Sequence, residues 1–306
     1  MNPLGYHQPV LAAELLAVVP RAMRVVDATL GDGGHADLFQ RRGASVLGID
    51  RDPDAIARAR ARLSDAIEYH EGTAFDDAAL TRIESFRPNL ILLDLGVSSR
   101  QLDDSALGFS FRPGSPLDMR MSRRGPTAAA VLNQATEAEI AGWLTEYADE
   151  PRSRRLAAEI VRRRARTRFE TSDDLVNAIR GALGSRTGPA DFARIFQAFR
   201  IVVNEELEGL VRALPRFRDA LEPGGALAAI SYHSGEDRIV KTAFREWSRS
   251  CICPPHVPVC HCRGHPLGRT LTRRPLVAGA VEREDNPRAR SAKLRVFELG
   301  THGAEA

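Results

Sequence analysis

The sequence predicts an α/β protein: a parallel, doubly wound sheet interrupted after its fourth strand by a helical insert. Two observations carry that prediction. Short apolar segments, two of them closing on an aspartate, alternate with helix-forming stretches as far as Asp94. The alternation then stops from about residue 105 to 205, where the chain reads as helices and Gly/Pro/Ser-rich loops, and strand signal returns at 226.

In order, residues 24–28 form a short buried-strand pattern followed by the glycine turn at Gly31, Gly33 and Gly34. A helix over 35–42 leads to a second strand at 45–50. Alanine- and arginine-rich residues 54–63 make the next helix, and a third strand falls at 67–70. The fourth, 89–94, is apolar after its first residue and ends on Asp94. After the turn at Pro223-Gly224-Gly225 a strand is expected at 226–231, and a last one at 293–298. One sheet domain therefore comprises 1–105 and 206–306, with residues 106–205 as an inserted helical substrate-recognition domain of ordinary size.

The bulk properties exclude several classes. With 43% hydrophobic and 27% charged residues, the 306-residue chain has the balance of a soluble globular protein. No apolar run approaches the roughly 20 residues a bilayer span needs, so no membrane partner is expected. The amino terminus lacks a basic region followed by an apolar one, which points to the cytoplasm. Net charge is only +3, yet Lys241 and Lys293 are the sole lysines, and arginine carries the rest. Arginine suits bidentate phosphate contact, although a GC-rich genome enriches it too. Oligomeric state is left open.

The glycine turn is the first chemical signal. Glycines let the backbone turn sharply and approach a ligand, and the following helix offers free N–H groups. The spacing is not the G-x-G-x-x-G of dinucleotide enzymes, since Gly34 follows Gly33 directly. Asp27, four residues before Gly31, suits the cationic methionine portion of S-adenosylmethionine. Asp50 ends the second strand seventeen residues after Gly33, where a carboxylate can accept both ribose hydroxyls. A nicotinamide enzyme could share both features.

The segment from Leu92 to Asp104, with Gly108-Phe109-Ser110-Phe111 and Pro116-Leu117-Asp118-Met119-Arg120-Met121, closely resembles the bacterial ribosomal RNA small-subunit methyltransferase H family, also called MraW. Further matches are His7 to Leu11, Gly48 to Pro53, Phe196 to Ile201, Ser231-Tyr232-His233-Ser234 and Asn286 to Ser291, so the resemblance spans roughly residues 5–298. It implies a Rossmann-like Class I methyltransferase sheet with an inserted helical domain. The implied reaction is S-adenosylmethionine-dependent methylation of the exocyclic N4 of a cytosine in the decoding region of 16S rRNA, within the 30S subunit. Cofactor contacts are implied at Gly33, Gly34, His35, Asp50, Phe75, Asp94 and Gln101. Four departures stand out: the loop ending at Phe75 is a residue longer than the family's usual form, Gly235 replaces a common leucine, Ala36 replaces a common small hydroxyl residue, and residues 147–152 differ from the expected pattern.

Catalytic candidates are Asp94, Asp118 and His233. Amino-methyltransferases place the acceptor for the substrate amine at the carboxyl end of the fourth strand, where Asp94 sits, and family contacts also put it beside the cofactor. Asp118 could instead pair with Arg120 or Arg123, and His233 could hydrogen-bond the backbone at a strand end. Phe109, Phe111 and Tyr232 could stack on an extruded base or belong to the core. Eight arginines between Arg152 and Arg168, nearly unbalanced by acid, suggest phosphate contact, with Leu156, Ile160 and Val161 as the buried stripe. Cys251, Cys253, Cys260 and Cys262, near His256, His261 and His265, either bind zinc or remain reduced thiols; their spacing is not the usual C-x2-C pair.

Overall fold

The structure, a computed structural model, describes residues 8–254, 259 and 261–301; His7, His256 and Cys260 lie outside these. Along the chain, α1 (Ala12–Val18) leads to β1 (Arg24–Asp27), α2 (Gly34–Gln40), β2 (Ser45–Asp50), α3 (Pro53–Leu63), β3 (Glu68–Glu71), α4 (Asp77–Phe86) and β4 (Leu90–Asp94). Helices α5 (Ser99–Asp103), α6 (Ala128–Gln134), α7 (Glu137–Ala148), α8 (Ser153–Arg164), α9 (Ser172–Leu183) and α10 (Pro189–Asn204) follow. The chain ends with α11 (Glu206–Ala220), β5 (Ala226–Ser231), α12 (Ser234–Trp247), β6 (Gly268–Thr270), α13 (Ala280–Asp285) and β7 (Lys293–Leu299). It divides into two compact units, 1–96 with 207–306, and 97–206.

The first unit is a sheet of order β3-β2-β1-β4-β5-β7-β6. Strands β1 to β5 run parallel, while β7 is antiparallel to both β5 and β6. The expected Rossmann-like α/β class is what the sheet shows. Alternation along β4 explains its two buried faces: Leu90 and Leu92 join the core beneath α1, α2 and α3, whereas Ile91 and Leu93 face α4, α11 and α12. Asp52 starts α3 by accepting the Asp54 N–H at 3.0 Å, and Pro53 at the first helical position needs no donor. Asp76 caps α4 the same way, through the Ala79 N–H at 2.8 Å. Strand β6 has no counterpart in the sequence reading, because three residues, an exposed Arg269 between two half-buried neighbours, are too few to show a period; β7 holds it in register.

The second unit has its own apolar core, drawn from α6 to α10 and the preceding loop. Thr136 and Glu139 form a reciprocal capping box that starts α7. On α8 the buried stripe is Leu156, Ala157 and Ile160, with Val161 only partly covered. Phe109 is buried in this core, and Phe111 packs edge-on against Phe192 and Phe196 at 5.7 and 6.0 Å. Within this unit Phe109 belongs to the core and Phe111 lies half-buried against it. Among the described residues, no helix is long and apolar enough to cross a membrane.

Candidate active site

The site is built at the carboxyl ends of β1, β2, β4 and β5. After β1 the chain turns through Gly31 and Gly33, with φ of 53° and 75°. A Cβ on Gly33 would also lie 2.8 Å from a Leu63 methyl, so both backbone and packing require glycine there. The Gly31 N–H donates to one Asp50 oxygen at 2.8 Å and the Asp52 N–H to the other at 2.9 Å. These bonds orient the Asp50 carboxylate and leave acceptor capacity on both oxygens. Burial holds the Asp50 carboxyl above its usual range, against the pull of those two N–H groups.

Asp27 is the most unusual group of the turn. It is 1% exposed, and its Oδ2 has no hydrogen-bond partner among the described residues. Burial, opposed by His35 and reinforced by Asp94, pushes its carboxyl up to about 6. Burial alone would lower the His35 imidazole, but Asp94 and then Asp27 outweigh it, and the net shift is upward. His35 Nε2 lies 3.7 Å from Asp94 Oδ2, an ion-pair distance too long for a hydrogen bond, and neither ring nitrogen has a hydrogen-bond partner among the described residues. A buried carboxylate and imidazole with open valences mark a place that lacks polar partners until something binds.

Asp94 ends β4 and is 25% exposed. Its backbone N–H donates to Thr29 Oγ1 at 2.6 Å, tying it to the glycine turn. Its Oδ1 accepts the Tyr232 hydroxyl at 2.8 Å. Burial first, then the neighbouring Asp94 charge, drives the Tyr232 hydroxyl far above its ordinary value, so it remains a donor. Glu236, 2% exposed, accepts the Tyr232 N–H at 2.8 Å and the His233 N–H at 3.3 Å, which starts α12 and fixes the loop after β5. His233 is the N-cap residue, and its Nε2 stands 3.1 Å from Glu236 Oε1 without a hydrogen-bonding direction.

The remaining candidates divide between the units. Phe75 follows β3, with its ring 6.3 Å from that of Phe217 and the Arg51 guanidinium 6.0 Å from its centre. Gln101 and Asp118 belong to the helical unit. Gln101 is buried and accepts the Ser98 N–H at 3.0 Å, closing the capping box of α5. Asp118 forms a two-pronged pair with Arg120 at 2.7 and 2.8 Å. Burial would raise its carboxyl, but the bonds to Arg120 outweigh it and hold it low. The expected alternative to a catalytic Asp118 is thus the one seen.

The arginine run is less open than its sequence implies. Arg162 and Arg163 both bond Glu159, at 2.6 Å each, and Arg164 donates to the Leu132 and Ala135 carbonyls that end α6. Glu159, the one acid in the run, thus engages two of its eight arginines. Arg154, Arg155, Arg166 and Arg168 remain exposed. A cavity of about 400 Å³ is lined by Arg162, Arg163, Arg166, Thr167, Phe169, Asp174 and Asn177. Sequence reasoning missed Glu236, Thr29 and the Tyr232–Asp94 bond. Only Glu236 had a local signal, an acid three residues after the start of a helix.

A family model described as the MraW methylase family matches residues 5–299. The chain is similar to the Ribosomal RNA small subunit methyltransferase H of Gemmatimonas aurantiaca, 54% identical over 303 residues and 95% of each chain. It is likewise 45% identical to the protein of that name from Rubrobacter xylanophilus, again over 95% of each. Among solved structures, an rRNA methylase from Streptococcus thermophilus has a TM-score of 0.41 at 10% identity, covering 97% of this chain and 99% of that one. That likeness is too distant to carry an argument. The family match and the relatives, over a sheet with its polar groups gathered at the strand ends, place this chain in the MraW methylase family.

Proposed function

We propose that this chain is a cytoplasmic enzyme that methylates the exocyclic N4 of a cytosine in the decoding region of 16S rRNA, within the 30S subunit, using S-adenosylmethionine. The observation that carries the reading is Asp94, held at the end of β4 by Tyr232 and joined to the glycine turn through Thr29. The names of the relatives support an rRNA substrate and the small subunit. The unpartnered Asp27 Oδ2 and the two-oxygen setting of Asp50 fit the cofactor's cationic end and its ribose.

S-adenosylmethionine supplies a methyl group on a positively charged sulfur. The protein's part is positioning, which can contribute roughly 7–11 kcal/mol. Cytosine N4 is a poor nucleophile, because its lone pair is shared with the ring. Asp94 accepts a hydrogen bond from the amine, turning that lone pair toward the methyl carbon. When bound, the cofactor would supply its methyl group to that nitrogen and leave as the neutral thioether, and the proton the amine loses would pass to solvent. Tyr232 keeps the Asp94 carboxylate in one rotamer by donating to Oδ1. His35 Nε2 stands 3.7 Å from Asp94 Oδ2, on the oxygen that Tyr232 does not bond. Gly33 and Gly34 let the turn approach the cofactor, and Phe75 offers an apolar ring beside the Arg51 guanidinium. His233 has a smaller part, organising the start of α12. In the helical unit the exposed arginines near α8 would contact phosphates, while Gln101 and Asp118 hold local structure.

The test is mass mapping of modified nucleosides in 16S rRNA from a strain lacking this gene, with and without its restoration. Loss and return of one N4-methylated cytidine is expected. Unchanged rRNA would overturn the reading.

A further inference from the structure

We propose that Cys251, Cys253 and Cys262 form a structural zinc site that staples the loop between α12 and β6. Their sulfur atoms all lie within 4.8 Å of one another, and none is in a disulfide. A tetrahedral zinc with Zn–S near 2.3 Å places its sulfurs about 3.8 Å apart, so the cluster needs only a small contraction to close on the ion. The Ile252 N–H donates to Cys262 Sγ at 3.4 Å. An amide directed at a sulfur stabilises the thiolate form and orients it, as the supporting groups of metal sites do. Three thiolates are soft ligands, and zinc has no electronic preference that this geometry would oppose. Cys260, the remaining cysteine, lies outside the described residues.

The surroundings supply a reason for such a staple. Residues 248–267 carry no helix or strand among those described. Ile252 and Val259 are exposed, so the loop gains little from apolar burial. Polar contacts close its base: the Leu267 N–H donates to the Trp247 carbonyl at 2.8 Å, and the Arg263 guanidinium to the Glu246 and Arg249 carbonyls at 2.6 and 3.2 Å. Cys251 and Cys253 sit on one arm of the loop and Cys262 on the other. A shared ion would therefore cross-link the two arms. A long loop without its own core is the setting in which metal binding supplies folding free energy. Binding releases the thiol protons to solvent and involves no electron transfer.

The test uses the full chain, reduced and stripped of metal, titrated first with cobalt(II) and then with zinc. We expect the thiolate-to-cobalt charge-transfer band and the strong visible bands of a tetrahedral site, saturating at about one cobalt per chain and bleached by zinc. The C251S/C253S/C262S variant should lose at least about nine-tenths of that signal while keeping wild-type circular dichroism. Should the variant fail to fold, alkylation of the wild-type chain decides the matter. Zinc should slow modification of Cys251, Cys253 and Cys262 by about tenfold or more, since only a free thiolate reacts. The proposal is overturned if the wild type shows no thiolate–cobalt band, or if zinc leaves those alkylation rates unchanged.

Discussion

At the scale of single residues, two carboxylates behave in opposite ways. Asp94 is set up as an acceptor, so Asp94→Asn should slow single-turnover methylation on the order of 10²-fold at saturating cofactor and 30S subunits, with little change in substrate binding. The amide keeps the shape but loses the charge and presents a donor to Tyr232. Recovery of near wild-type rate at saturating cofactor would leave Asp94 as a binding residue only. Asp27 instead stores instability. Its carboxyl, at about 6 when folded against 3.8 ordinarily, holds a proton in the native state that the unfolded chain releases between those values. Its contribution to stability therefore falls as pH rises through that window, and above it the buried charge costs about 3 kcal/mol. Asp27→Asn should raise the denaturation midpoint of the ligand-free protein at about pH 8 and lose that advantage near pH 4. The same change should weaken S-adenosylmethionine binding by about tenfold or more in calorimetry, because the cationic end of the cofactor loses its counter-charge. A stability gain that does not vary with pH would show that the buried charge is not its source.

At the scale of elements, helix starts do much of the positioning. Glu236 secures α12 and with it Tyr232, Asp52 starts α3, and Gly33 lets α2 begin directly after the turn. In α8 the arginines have divided roles. Arg164 supports the end of α6, so replacing it would damage the unit rather than test its binding surface. The informative variant changes the exposed Arg154, Arg155, Arg166 and Arg168 to glutamine. If these meet phosphates, the log–log slope of RNA affinity against salt should fall by roughly 0.7 for each phosphate no longer neutralised, while cofactor affinity holds. An unchanged slope would mean that this face is merely solvated.

At the scale of the whole molecule, the chain builds two separate cores, one set around the sheet and one within residues 97–206. A ligand that binds only the native state stabilises what it contacts by about 2.7 kcal/mol at a hundredfold excess over Kd. Scanning calorimetry should thus resolve two overlapping transitions, only one of which S-adenosylmethionine moves. A single transition displaced as a unit would show that the cores unfold together.

How much of this was legible without coordinates follows from the range of the forces involved. Strands β2 and β5 fall where the sequence put them, and β3 one residue later, because apolar periodicity and turn residues act locally. Asp50 and Asp94 could be singled out because a strand end is a local feature. The edge strand β6 could not, since it exists only by pairing with β7. The same limit hid the roles of the arginines. Composition showed a basic run, but Glu159 and the carbonyls of α6 decided which of those charges are engaged. Likewise, the sequence offered Asp118 either Arg120 or Arg123 as a partner without choosing between them, and nothing local tied the Tyr232 hydroxyl to Asp94. By itself the sequence determined the sheet, the glycine turn and the family, because each is written in neighbouring residues. Only the tertiary structure decided the state of Asp27 and the partners of Asp94. Burial and pairing depend on groups that are far apart along the chain.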